Sequence, residues 1–216
     1  MSDDWFRRHS WTETDQAEFF ARLGRSRTPF HKAQYVRIQA YELHQAGGAR
    51  YAREALELLD TIVESWMGDA QRASVHHQRA ECLRDLGRDV EAIQAYRETF
   101  AEQRRSPSYL TNAHLDFAWW IAASGMRELF DEAMSVLDEF SRDGGITFPA
   151  SVYLAEGARA LIQHARGDRD VASTHARRAL DAAELKHTGL RYHPTVGVVR
   201  RRDEATHAML TSIAAG

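Results

Sequence analysis

Cysteine, proline and lysine are scarce in this sequence, and long apolar runs are absent. The one cysteine among 216 residues, Cys82, has no intramolecular partner for a disulfide. No segment approaches the roughly 18 consecutive apolar residues that a membrane-spanning helix needs. The first residues, Met-Ser-Asp-Asp-Trp-Phe-Arg-Arg, precede no apolar stretch, which argues against a secretory signal. The sequence therefore predicts a cytoplasmic protein with no membrane partner.

Basic residues are nearly all arginine. Of 28 lysines and arginines, only Lys32 and Lys186 are lysine. Arginine forms rigid multi-donor contacts that suit carboxylate partners, although codon usage would produce the same bias. The net charge of −3 argues against binding to a phosphate backbone, which needs a basic patch. The tight run 200–202 (Arg-Arg-Arg) is either a solvated loop or a weak nucleic-acid signal, and we expect no nucleic-acid partner.

Three of the four prolines stand where a helix is expected to begin: Pro29, Pro107 and Pro149. Proline is well tolerated at the first helical position, because its missing N–H would have no partner there. Thr28 and Ser106 precede two of them and can accept hydrogen bonds from the first turn.

The sequence repeats at intervals of 40, 38 and 42 residues, marked by the glycines Gly47, Gly87, Gly125 and Gly167. Each glycine lies between two alanines in the sequence, and small residues at these positions allow two helices to pack closely. The alanine pairs are Ala40/Ala55, Ala80/Ala92, Ala118/Ala133 and Ala160/Ala172. A glycine just past a helix can adopt the left-handed conformation that ends it. Larger residues at helical spacing are expected to fill the remaining space, including Leu59, Val63, Tyr96, Phe100, Leu137, Phe140 and Leu180. The pattern predicts four helical hairpins, each with a first (A) and a second (B) helix.

The second hairpin carries the motif Ala80-x-x-Leu83-x-x-Leu86-Gly87, followed by Glu91-Ala92-Ile93-x-x-Tyr96-x-x-x-Phe100. This motif resembles a tetratricopeptide repeat, and Ala160 to Leu180 is a second, weaker match. The resemblance covers residues 30–187, with a spacing longer than the usual 34 residues. It implies an all-α fold, a right-handed α-solenoid of about four antiparallel helix pairs.

The two ends of the chain differ from the repeats. We expect a capping segment over residues 1–28, repeats over 29–187, and a loop with a capping helix over 188–216. Ser10-Trp11-Thr12-Glu13 has the form of a capping box. Trp5 and Phe6 precede it, and an amphipathic helix with Phe19 and Leu23 follows, which suggests a lid over the first repeat. A final helix is expected at 203–213, with Ala205, Met209 and Ile213 on its packed face.

In tetratricopeptide proteins the A-helices line a concave face that contacts the partner. Transferred residue by residue, the resemblance implies a partner-binding set of Arg37, Tyr41, His77, Glu81, Arg84, Asn112, Asp116 and Trp119. Arginine, tyrosine and tryptophan are typical binding anchors. For Trp119 the alternative is packing against the neighbouring B-helix.

Known catalytic motifs are missing from the sequence. It has no glycine-rich phosphate loop, no Gly-x-Ser-x-Gly elbow, no His-Glu-x-x-His motif and no paired cysteines. We therefore expect no catalytic residues, no metal and no cofactor. The leading interpretation is a non-catalytic protein- or peptide-binding adaptor. The alternatives are a bacterial immunity or regulatory protein that neutralises one effector by occluding it, and an enzyme with an unrecognised site.

Overall fold

The computed structural model describes residues 4–142 and 147–216, except for the side chain of Asp69. The described residues form ten α-helices and no strand, so the all-α prediction is confirmed. The helices are α1 (Glu13–Leu23), α2 (Pro29–Gly47), α3 (Ala52–Ser65), α4 (Asp69–Asp85), α5 (Asp89–Arg105), α6 (Ala113–Ala123), α7 (Phe130–Arg142), α8 (Pro149–Arg166), α9 (Arg169–Glu184) and α10 (Glu204–Ala215). Contacts divide the chain into two compact units, Met1–Ala113 and His114–Gly216.

Helical hairpins make up most of both units. In the first unit α2 packs on α3 and α4 on α5, while α2 and α3 also contact α4. In the second unit α8 packs on α9, which is covered by α10. All eight alanines of the repeat pattern are buried, as expected for small residues at close helix crossings: Ala40, Ala55, Ala80, Ala92, Ala118, Ala133, Ala160 and Ala172.

The first hairpin turns one residue later than the repeat pattern predicts. Gly87, Gly125 and Gly167 have the expected positive φ, but Gly47 has a φ of −132° and belongs to α2. Its neighbour Gly48 takes the positive φ instead, at 50°. A Cβ atom on Gly47 would lie 2.4 Å from the Tyr51 ring, so this glycine is required for a close approach and not for the turn.

Two of the three proline predictions are confirmed. Pro29 and Pro149 are the first residues of α2 and α8, and the Thr28 hydroxyl accepts a hydrogen bond from the His31 N–H at 3.2 Å. The prediction for Pro107 is wrong, since α6 begins only at Ala113.

Polar contacts hold the connection 106–112 in a non-helical form. Gln103 Oε1 accepts from the Thr111 N–H at 2.6 Å, and the Thr111 hydroxyl accepts from the Ala113 N–H at 3.2 Å. Ser106 ends α5 and does not cap a new helix.

The capping box of α1 lies two residues beyond the predicted one. Thr12 is the N-cap, and its hydroxyl accepts from the Asp15 N–H at 3.2 Å while the Asp15 carboxylate accepts from the Thr12 N–H at 2.9 Å. Ser10 instead donates to Asp15 at 2.9 Å, and Glu13 is the first helical residue. Asp at the third helical position thus decides where the helix begins.

The N-terminal segment packs onto α2 through rings and through one buried amide. Trp5 and Phe6 lie 5.0 and 4.8 Å from the Tyr35 ring centroid. Gln39 is fully buried, with Oε1 accepting from the Arg8 N–H at 3.0 Å and Nε2 donating to the Arg8 carbonyl at 2.8 Å. These contacts support the expected covering of the first hairpin.

Three predicted packing residues face outward. Val63 is 37% exposed while the preceding Ile62 is buried, so the inner face of α3 is rotated by one residue. The final helix begins at Glu204 behind its N-cap Asp203, but Met209 is 52% exposed and Leu210 packs in its place. Ala205 is also exposed.

Among the described residues no helix is both long enough and apolar enough to cross a membrane.

Candidate functional site

The facing sides of α2 and α4 carry five of the eight predicted partner-binding residues. Arg37 and Tyr41 lie one turn apart on α2, between two polar ties to α4. The Arg37 Nε donates to Gln71 Oε1 at 2.8 Å, and His44 Nε2 lies 2.9 Å from Asp85 Oδ2. Tyr41 is 43% exposed between these ties. We call this surface, together with His77, Glu81 and Arg84 of α4, the α2–α4 face.

The α4 residues of the face are spaced four and three positions apart, so their side chains lie on the same side of the helix. His77, Glu81 and Arg84 are all half-buried. The His77 ring lies 5.9 Å from the buried Tyr96 ring, and Arg84 lies 3.7 Å from Asp85. The face is thus polar and aromatic on a backbone fixed by the alanine core beneath it.

The other three predicted residues lie on or after the connection to α6. Asn112 is exposed just before α6, and Asp116 is half-buried in its first turn. Trp119 packs within the second unit, with its ring 5.3 Å from that of Tyr153 on α8. Its ring therefore contacts the next A-helix.

A cleft that the sequence did not indicate opens in the first unit, where α2 begins and α3 gives way to α4. It has a volume of about 260 Å³. Its walls include Pro29, Phe30, Ala33, Trp66, Met67 and Gln71. This is the open end of the α2/α3 hairpin, away from the glycine turn, where two diverging helix ends leave apolar side chains uncovered. We call it the hairpin cleft.

Two cations adjoin the hairpin cleft without a described acidic partner. The Lys32 ammonium lies over the Trp66 ring, 5.7 Å from its centroid. Arg37 stands one turn beyond Ala33, and its burial lowers the pKa of its guanidinium. Among the described side chains no carboxylate forms an ion pair with either residue. A half-buried cation of this kind favours an anion brought by a ligand.

The second unit has two larger clefts. One, of about 500 Å³, lies between α8 and α9 above Glu156. Burial acts to raise the Glu156 pKa, but hydrogen bonds from His175 and Arg159 outweigh it and hold the pKa below its ordinary value. The other, of about 520 Å³, is lined by Arg202, His207 and neighbouring residues. In the first cleft Arg178 lies 3.7 Å from Glu156, and in the second Arg202 lies 3.3 Å from Glu184, so the arginine of each cleft is already paired.

None of the eight predicted residues lines any of these three clefts. The residue that sequence reasoning missed is Gln71, which is 6% exposed and links Arg37 to the hairpin cleft. A neutral glutamine near a helix start carries no motif, and the only available signal was its place one turn before Val75 on the buried side of α4.

Comparison with protein-family models, curated proteins and solved structures gave no match to this chain.

Proposed function

We propose that this chain is a tetratricopeptide-like, non-catalytic module that binds a protein or peptide on the α2–α4 face. The proposal draws on the repeat motif, on the buried alanine pairs of each hairpin, and on the positive-φ glycine that follows each of the four A-helices. The finer description as a right-handed α-solenoid belongs to the same proposal.

The observation that carries the proposal is the exposed ring of Tyr41 between two interhelical ties. An amphipathic ring held on a rigid backbone contributes large contact area at low entropic cost, which is why tyrosine is enriched among binding hot spots. The adjacent Arg37 and Arg84 supply multi-donor contacts for carboxylates. The partner expected from this composition is a segment with acidic side chains beside an apolar residue.

The experiment is selection of binders from a random peptide library, followed by calorimetric titration of a selected peptide. Tyr41→Ala should weaken binding by roughly 5- to 30-fold, the loss typical of one aromatic hot spot. Tyr109→Ala is the matched control, because Tyr109 has the same 43% exposure in the same unit but lies outside the face. It should bind like the wild type.

Two results would contradict the proposal. One is a library that yields no saturable binder. The other is a selected peptide whose affinity survives Tyr41→Ala unchanged.

A further inference from the structure

The Gln71 side chain is buried at the wall of the hairpin cleft and is oriented by Arg37. Arginine only donates hydrogen bonds, so the glutamine atom that faces the Arg37 Nε at 2.8 Å is the carbonyl oxygen. The Gln71 NH2 group therefore points away from Arg37. Among the described residues it donates to no acceptor, and its nitrogen stays in contact with solvent at the cleft wall. A ligand acceptor that replaces water at this donor gains a hydrogen bond inside a largely apolar cleft.

The other walls of the hairpin cleft define the rest of the ligand. Phe30, Trp66 and Met67 offer an apolar and aromatic surface. The volume of about 260 Å³ lies just below the range of about 300–1,000 Å³ for pockets of drug-sized ligands. A single ring or branched chain with one small polar group is therefore the appropriate size.

The charges decide which acceptor the ligand carries. Lys32 stands at the Trp66 ring and Arg37 stands behind the Gln71 amide, and neither has a described carboxylate partner. A positive potential that no described carboxylate neutralises favours an anionic acceptor over a neutral one. Hydrogen bonds to a charged acceptor are also about twice as strong as neutral ones.

We propose that the hairpin cleft binds a small apolar monocarboxylate, with its hydrocarbon part against Trp66 and Phe30 and its carboxylate accepting from Gln71. The site goes beyond the proposed function and does not depend on it: the two share only Arg37, which here orients Gln71, whereas Tyr41 takes no part in the cleft.

The test uses phenylacetate as the probe and its uncharged counterpart phenylacetamide as the comparison. The chain has five tryptophans, so the indole N–H signals of a ¹⁵N-labelled sample report on each separately, with Trp66→Phe assigning the one that matters. Phenylacetate should shift the Trp66 signal saturably while the other indole signals stay in place. Phenylacetamide should bind roughly five- to tenfold more weakly. Equal affinity of the two probes, or no saturable shift of Trp66, would overturn the proposal.

Gln71→Glu is the decisive variant. It keeps the size of the side chain, gives Arg37 a charged acceptor and so preserves the tie to α4, but it removes the NH2 donor and the excess positive charge. Phenylacetate affinity should fall at least roughly tenfold, with a thermal midpoint equal to or above that of the wild type.

Gln45→Glu is the matched control, with the same charge change at an exposed position of α2. It lies 12 residues, about 18 Å, along the helix from Ala33, and should leave the affinity unchanged. A Gln71→Glu protein that binds phenylacetate as the wild type does would refute the site. The two-probe comparison is made on the wild-type protein, with Trp66→Phe used only for assignment, so it decides the question even if Gln71→Glu does not fold.

Discussion

Gly157 lies where three helices of the second unit meet, and adding one methyl group there gives a sharp test of the packing. A Cβ atom at this position would lie 2.6 Å from Trp119 Cζ3 on α6 and 3.2 Å from Leu210 Cδ1 on α10. Ordinary contact between carbon atoms is about 3.5–4.0 Å, so the indole would have to move by about 1 Å. The Trp119 ring lies 5.3 Å from the Tyr153 ring at an interplanar angle of 39°, and that contact would be disturbed.

Two effects of Gly157→Ala oppose each other. Replacing glycine by alanine inside a helix stabilises it by about 1 kcal/mol. Overpacking a well-filled site costs about 1–3 kcal/mol, and loss of an aromatic pair adds up to about 1 kcal/mol. We therefore expect Gly157→Ala to lower the free energy of unfolding by about 1–2 kcal/mol.

The same substitution should change sign when the indole is removed. In a Trp119→Ala background the new methyl group no longer meets the indole and keeps only the 3.2 Å approach to the flexible Leu210 side chain, so Gly157→Ala should raise the free energy of unfolding by up to about 1 kcal/mol. Urea denaturation followed by far-UV circular dichroism measures all four proteins of the cycle. A Gly157→Ala penalty that is equally large without the indole would refute the packing argument.

Two further predictions concern titratable groups. The pKa of Asp15 is held well below its ordinary value by hydrogen bonds from the Thr12 N–H and hydroxyl and from Ser10. A depressed folded-state pKa stabilises the protein at neutral pH, and this stabilisation is lost as the pH falls below about 4. The difference in unfolding free energy between wild type and Asp15→Asn, measured by urea denaturation, should therefore become smaller at acidic pH. A difference that does not change with pH would contradict the prediction. Burial raises the pKa of the Cys82 thiol well above its ordinary value. A chromogenic disulfide reagent should therefore label the urea-unfolded chain but not the native protein. Rapid labelling of the native protein would contradict this prediction.

The hairpins could be predicted because small residues at helix crossings have one physical consequence. Ala80 and Ala92 allow close approach without the loss of helix propensity that glycine would bring. The predictions of a helix start at Pro107 and of an N-cap at Ser10 were wrong because these residue types are compatible with a helix start but do not determine it. The neighbouring polar contacts decide the matter, such as Gln103 to Thr111, and these depend on side chains that meet only after folding.

The two candidate sites differ in the same way: one follows from sequence spacing and the other depends on contacts that form only on folding. Arg37 and Tyr41 share a helix face by spacing alone, so their proximity to α4 could be expected from the repeat. The hairpin cleft could not, because it depends on where two helix ends diverge. The orientation of the Gln71 amide depends on which arginine nitrogen faces it, and no spacing rule contains that information.

The buried Gln39 amide forms hydrogen bonds with the main chain of Arg8 and none with its side chain. It therefore fixes the position of the backbone at residue 8 but does not select which side chain stands there. Many substitutions at position 8 would sacrifice surface ion pairs yet leave the segment docked, whereas proline, which lacks the N–H, would undo one of the two bonds. Deleting one residue between this anchor and Thr12 would force the chain to abandon either the Gln39 pairing or the start of α1.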